Sequence, residues 1–428
     1  MKKILIITYY WPPSGGAGVQ RWLKLSKYLC EKGLEVHVLT VDEKYASYMQ
    51  LDPTLSEDIC PNLTIHKTRS FEPINYYARL VGRKNVPVAG FANVNNKKFT
   101  QKLINSIRSN FFIPDPRRGW KRFAFKKAMS VIQKENIDTV ITTSPPHSTQ
   151  LIGLSLKKKA NITWIADLRD LWTDIYYYPI LGHSFISRYI DRKLEKKVLL
   201  SADKIITVGH SFKNIFLTKS PEIAPEKIKV IPNGYDPVDF STPDKPAPGE
   251  VFTICYTGTM ADQYRPEAFF EAVGTLIRQS PGIKIKVQLV GYISDGIRTC
   301  INSLQIPCEF IDTVPHSEVT RYQQNADLLL LVTPEIQQGE GIVPGKLFEY
   351  LASKKKILAI GPETGDVARI LNSCRAGKIF GRTDSASIAA YLNEVIDQYK
   401  NKTDSGTDEQ RIKRFSRPYQ AKQVMAML

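Results

Sequence analysis

At 428 residues, 43% hydrophobic and 10% aromatic, the chain has the apolar content of a globular protein and is too long for one typical core, so two domains are expected. The net charge of +17 is unevenly spread and calls for an anionic partner. No apolar run approaches the ~20 residues of a membrane-spanning helix, and the opening run 1–7 is too short for a signal peptide. Six cysteines (30, 60, 255, 300, 308, 374) form no CxxC pair and six histidines are dispersed, so a cytosolic chain with no disulfide framework and no metal site is expected.

Residues 3–8 read as a buried parallel strand. Next come Gly15-Gly16-Ala17-Gly18, a helical spacing through Trp22, Leu25 and Leu29, a stop at Gly33, and a strand over 35–41. This is a βαβ opening, but the glycines do not follow GxGxxG and Asp42 is the nearest acid to the second strand's end, so no nicotinamide cofactor is expected. Residues 44–134 are irregular, with helices expected over 96–108 and 118–134. Between Arg79 and Lys134, fourteen Lys/Arg face a single acid, Asp115, and Phe99, Phe111, Phe112, Trp120, Phe123 and Phe125 are interleaved with them. That mixture suits an anionic membrane surface over residues 79–134; a solvated basic face is the plainer reading, and without a nucleic-acid motif no nucleic-acid partner is expected.

A strand over 137–143 ends in Ser144-Pro145-Pro146-His147-Ser148 before a helix over 149–156. His147 is either a helix-start hydrogen bonder or a functional group at a strand's carboxyl end. The next strand ends in Asp167-Leu168-Arg169-Asp170-Leu171-Trp172. Asp167 or Asp170 could position an acceptor hydroxyl and Arg169 could neutralise a phosphate; an Asp-Arg-Asp network that only holds the loop is the equal alternative. A basic helix over 184–200 and a strand over 204–208 follow. Ile231-Pro232-Asn233-Gly234-Tyr235-Asp236 and the proline-rich 237–250 mark a boundary, giving domains 1–232 and 233–405 and a C-terminal helical tail 406–428.

The second half opens like the first, with a buried strand running into Gly258. Arg265 precedes Pro266 at a helix start, where its forked guanidinium would match phosphate oxygens. Strands over 285–290, 308–311, 327–332 and 357–360 alternate with helices, and Gly291 and 313–315 are edges for a base pocket. In Gly339-Glu340-Gly341-Ile342-Val343-Pro344-Gly345-Lys346-Leu347-Phe348-Glu349-Tyr350-Leu351-Ala352, a glycine-rich loop enters a helix, with Pro344 expected in its first turn. Bare amides there would make an anion site. Lys346 and Glu349, three apart on one face, suit a diphosphate and a ribose, or a simple i,i+3 ion pair. The fold class expected is α/β, two doubly wound parallel-sheet domains.

The stretch from Pro344 to Ala352 resembles the donor-binding segment of family 4 retaining glycosyltransferases. Asn233-Gly234 is similar to that family's interdomain turn, and Asp167 to Trp172 to members that build bacterial surface polysaccharide. The resemblance implies a GT-B architecture, two Rossmann-like domains facing across a cleft, with the tail crossing back onto the first. It implies transfer from a nucleoside-diphosphate sugar to a glycan or polyprenyl-diphosphate-linked acceptor, with no cofactor and no metal. Lys346 would meet the diphosphate and Glu349 the ribose, with Gly258, Gly291, Gly345 and Leu347 lining the donor. His147 would face the donor sugar, and Gly15, Gly16 and Gly18 would line the acceptor side with Arg169. The catalytic set is then His147, Asp167, Asp170, Arg265 and Lys346. The family's paired glutamates depart here: Gly341 stands eight before Glu349, and Glu340 is one residue off register. A nucleotide-sugar epimerase or a phosphorylase of the same architecture, or a non-catalytic binder of an anionic polymer, are the other readings.

Overall fold

The computed structural model describes residues 2–48, 50–72, 109–240, 251–279, 282, 284–336, 339–401, 403 and 406–428. The helix expected over 96–108 and the linker residues 241–250 lie outside them. The chain divides into two compact units, one of residues 1–232 with 420–428, the other of residues 233–419.

In the first unit β1 (Lys3–Ile7), β2 (Glu35–Val41), β3 (Thr64–Thr68), β4 (Thr139–Ser144), β5 (Thr163–Leu168), β6 (Lys204–Thr207) and β7 (Ile228–Val230) form one sheet in the order β3-β2-β1-β4-β5-β6-β7. Every pairing is parallel. Because side chains alternate across a strand, the unbroken apolar run of β1 feeds two cores at once. Leu5 and Ile7 pack with Trp164 and Val140 on one face; Ile4 and Ile6 pack with Trp22, Leu25 and Ile206 on the other. Ala421, Val424 and Met427 from the last residues join that second core.

In the second unit β8 (Val251–Thr257), β9 (Lys284–Val290), β10 (Cys308–Ile311), β11 (Leu328–Val332), β12 (Lys356–Ile360) and β13 (Gly377–Phe380) pair in the order β10-β9-β8-β11-β12-β13, again all parallel. Tyr256 and Ile254 face one core and Cys255 the other. In both sheets the strand order reverses beside the first strand, at β1/β4 and β8/β11, and ligands of such sheets gather at the carboxyl ends there.

Three strands were not foreseen, β3, β7 and β13, and each is an edge strand of three to five residues with partly exposed positions. A second correction concerns Pro344. The helix Lys346–Ala352 starts with Gly345 as its N-cap, so Pro344 precedes the first turn. Two histidines far apart in the sequence meet in the fold. Parallel pairing of β2 with β3 brings His37 Nδ1 within 3.1 Å of His66 Nε2, with the rings stacked. Glu35 and Glu135 complete a metal-like trio with His37, but the Lys3 ammonium lies 3.0 and 3.6 Å from the two carboxylates and already supplies their countercharge.

Candidate active site

In the second unit the expected donor residues collect at the carboxyl ends of β8 and β9 and at the start of Lys346–Ala352. Gly258 and Gly291 both have positive φ, 109° and 116°. A Cβ on Gly291 would sit 2.6 Å from the Gly258 carbonyl oxygen, and one on Gly258 would sit 2.8 Å from Lys346 Nζ. Close approach of backbone therefore requires glycine at 291, positive φ favours it at 258, and the space above Gly258 belongs to the lysine.

Lys346 is half-buried, its ammonium 4.0 Å from the centroid of the Tyr256 ring. Burial pushes its pKa down to about 7, with Glu349 opposing the fall. Glu349 does not close an ion pair with it: Oε2 accepts from Gln323 Nε2 at 2.9 Å, and the same amide reaches Thr257 Oγ1 at 3.1 Å. The plain i,i+3 ion-pair reading is therefore not what the side chains adopt. Leu347 leaves the donor set. Its side chain is fully buried in the core and its N–H is taken by the Pro344 carbonyl at 3.1 Å. Since the helix has only seven residues, attraction for an anion rests on the Lys346 charge rather than on a macrodipole.

Arg265 follows a short turn, Asp262–Tyr264, with φ 50°. It is 59% exposed between Glu267 and Glu335, at 3.5 and 3.6 Å. A phosphate would have to compete with those two carboxylates for it. Arg382, which sequence reasoning missed, fastens this loop to the end of β11 by donating to the carbonyls of Tyr264 (2.6 Å) and Thr333 (2.7 Å). Glu340 is exposed, and a Cβ on Gly365 would meet its carbonyl oxygen at 2.5 Å.

In the first unit the loops after β1, β4 and β5 meet. Asp167 is fully buried: its carboxylate accepts from Trp22 Nε1 and Thr143 Oγ1, both at 2.7 Å, and from Arg21 Nη2 at 3.2 Å. Arg21 continues to the carbonyls of Pro232 and Ile231. With both oxygens occupied and no exposed surface, Asp167 cannot take an acceptor hydroxyl, and its catalytic assignment is corrected to a structural one. Arg169 donates to the carbonyls of Gly18 (2.7 Å), Ser144 (3.1 Å) and Pro145 (3.3 Å), so it binds the glycine loop to the His147 loop instead of bridging two aspartates. Gly16 caps the helix Ala17–Glu31 with φ 91°, and Gly15 is pressed between Gln50 and Asp52, where a Cβ would lie 3.1 Å from each.

Asp170 differs from Asp167. It is half-buried, makes no hydrogen bond among the described residues, and burial raises its pKa while Arg169 opposes the rise. His147 stacks on Trp172 at 4.9 Å. Burial drives its pKa down to about 3, against a hydrogen bond with the Leu171 backbone, so the ring is neutral at physiological pH. Its buried Nδ1 has no hydrogen-bond partner among the described residues. Trp172, Arg21 and Tyr256 were missed as contributors; only Trp172, inside the quoted motif, carried a signal.

Of the fourteen cations between Arg79 and Lys134, seven lie outside the described residues. Arg117 is buried, 6.0 Å over the Tyr9 ring, and the lone acid Asp115 is no surface charge at all. It caps the next turn through Arg117 N–H (2.9 Å) and also takes Ser148 N–H (2.7 Å) and hydroxyl (2.9 Å).

Two parallel α/β units of this topology are the GT-B fold of glycosyltransferases, and solved structures with that fold superpose along the whole chain. Among them are sucrose-phosphate synthase from Thermosynechococcus elongatus (13% identity, 100% of this chain and 98% of that one, TM-score 0.60) and WaaG, a glycosyltransferase involved in lipopolysaccharide biosynthesis (12%, 99% and 95%, TM-score 0.52). A third is a putative UDP-N-acetylglucosamine 2-epimerase from Listeria monocytogenes (13%, 100% and 95%, TM-score 0.57). At such identities they speak for the fold alone. No curated protein sequence matches. Residues 15–239 match Glycosyltransferase Family 4, more than half of the chain, and the protein belongs to that family.

Proposed function

We infer that the protein is a metal-independent retaining glycosyltransferase, moving a sugar from a nucleoside-diphosphate sugar to a glycan or polyprenyl-diphosphate-linked acceptor in the synthesis of a bacterial surface polysaccharide. A peripheral place on the cytoplasmic face of an anionic membrane belongs to the same reading, supported by the basic excess between Arg79 and Lys134. The observation that carries the reading is the Lys346 ammonium, desolvated over Tyr256 beside Gly258 and, among the described residues, without a carboxylate partner.

In the reaction the bond from the anomeric carbon to the diphosphate oxygen breaks, the electron pair leaves with the diphosphate, and the acceptor hydroxyl adds on the same face and passes its proton to the departing diphosphate oxygen. The largest barrier is the charge growing on the diphosphate, and a fixed cation there lowers it. Lys346 supplies that cation, with the N–H groups of Gly345 and Lys346 beside it and Arg265 as a second, movable one. Glu349, steadied by Gln323, fits the ribose diol. Asp170 is the carboxylate left to orient the acceptor, and neutral His147, its one N–H spent on the Leu171 backbone, can accept a hydrogen bond from a donor-sugar hydroxyl at Nδ1 but cannot act as an acid. A thermal-shift screen of nucleoside-diphosphate sugars tests the donor: a ligand at a hundred times its Kd adds about 2.7 kcal/mol of stability, and Lys346→Ala should erase the response. Product analysis with and without acceptor separates transfer from epimerisation, and transfer abolished by EDTA would overturn metal independence.

A further inference from the structure

The helix Phe185–Ser201 buries both of its acids, Asp191 and Glu195, and shows solvent only apolar and basic side chains along its long exposed face. Phe185 is 77%, Ile186 68%, Tyr189 52% and Ile190 40% exposed, all in the first two turns. Arg192, Lys193, Lys196 and Lys197 continue the same face and are exposed. Phe111, 73% exposed, extends the apolar end, because its segment is tied there. Asn110 Oδ1 accepts from Ser184 N–H (2.7 Å) and the Ser187 hydroxyl (2.6 Å), and the Ser109 hydroxyl donates to the Leu181 carbonyl (2.8 Å).

Large apolar side chains exposed on adjacent turns mark an interaction surface rather than ordinary solvated protein. The charge beside them says with what. Among the described residues Arg192, Lys196 and Lys197 have no carboxylate partner, and Lys197 crowds Lys158 closely enough to lower its pKa. Lys193 lies 4.5 Å over the Tyr189 ring, joining the basic end to the apolar one.

We propose that this face docks on an anionic lipid bilayer, with Phe111, Phe185, Ile186, Tyr189 and Ile190 entering the boundary between headgroups and acyl chains and the four cations meeting lipid phosphates. The proposal rests on the membrane reading above and assigns its apolar contact to a helix outside the basic stretch. The placement suits a lipid-borne acceptor. The helix follows β5, so its first turns stand at the carboxyl end of the first sheet. On its buried side Asp191 accepts from Trp172 Nε1 (2.7 Å) and the Tyr178 hydroxyl (2.8 Å), and Trp172 is the residue stacked on His147. Two contacts thus separate the docking face from the acceptor-side loop.

The test is co-sedimentation of the full chain with vesicles of phosphatidylcholine alone or with about a third phosphatidylglycerol, without donor or acceptor. The wild type should pellet with the anionic vesicles and not with the neutral ones. Phe185→Ser with Ile186→Ser should weaken that binding at least ~10-fold, and Lys193→Gln, Lys196→Gln and Lys197→Gln together should remove the preference for anionic lipid, each at an unchanged melting temperature. A wild type that stays in the supernatant, or serine variants that bind like it, overturns the proposal. So does a concentration-dependent self-association in sedimentation velocity that the serine variants abolish, since a second copy would then cover the face. No nucleotide sugar enters the assay, so its failure leaves the donor reading standing, and a failed donor screen leaves this one.

Discussion

The carboxyl ends of the two sheets treat charge in opposite ways. After β5, Asp167 is closed in by Arg21, Trp22 and Thr143, and Arg169 by three carbonyls; every one of those partners is internal. At the ends of β8 and β11, Lys346 has a ring beneath it and glycine backbone beside it, and among the described residues no carboxylate lies within ion-pair distance. A buried charge whose partners all come from the chain fixes loops. A charge desolvated without such a partner is poised for a ligand that brings one.

The sharpest way to break this contrast is to exchange the penalties. Asp167→Ala should lower unfolding stability by about 3–5 kcal/mol, because the fully buried Arg21 would lose its counterion, as read in urea denaturation. Lys346→Ala should leave the denaturation midpoint nearly unmoved yet cut kcat/KM for glycosyl transfer by roughly 100-fold or more, the scale of losing one preorganised donor to a developing anion. If Lys346→Ala unfolds the chain instead, the lysine is structural like Asp167 and the contrast disappears. If Asp170→Asn leaves transfer unchanged, the acceptor side has no carboxylate of its own.

Much of this was legible in the sequence, and the rest failed for identifiable reasons. Strands buried on both faces announced themselves as unbroken apolar runs, as in 328–332 and 357–360. The edge strands β3, β7 and β13 mix Lys, His and Thr into short half-exposed runs, and periodicity cannot register them. The motif around Lys346 pointed to a lysine that the fold half-buries over the Tyr256 ring beside Gly258. What pairs with what across the sheet was hidden. Asp167 and Asp170 are alike in sequence, and only the distant Arg21 and Trp22 make one structural and leave the other open. The apolar face of Phe185–Ser201 was equally hidden, because a basic helix with scattered Phe, Ile and Tyr does not say which side is covered.

A smaller perturbation probes the lysine's pocket from its floor. Gly258→Ala would place a methyl 2.8 Å from Lys346 Nζ at a φ of 109°. The flexible ammonium must move, so donor affinity should fall by about tenfold while stability drops by roughly 1–2 kcal/mol from backbone strain. A donor Kd unchanged in isothermal titration would mean that the ammonium does not sit where the diphosphate binds.

The mildest effect is a pH dependence, and its sign follows from burial. Desolvation disfavours the charged lysine, which brings its pKa to about 7 in the free protein. A bound diphosphate diester, anionic throughout the neutral range, favours the ammonium and raises that pKa again. Donor binding therefore takes up a proton wherever the free lysine is neutral, so affinity should be flat below about pH 6 and weaken above pH 7, by at most tenfold per unit. Tyr256 beneath it does not interfere, since burial lifts its pKa well above the usual tyrosine value. Lys346→Met should bind weakly and without this slope. A slope that persists in that variant would mean another group titrates, and the lysine's isolation from carboxylates would then have no part in donor capture.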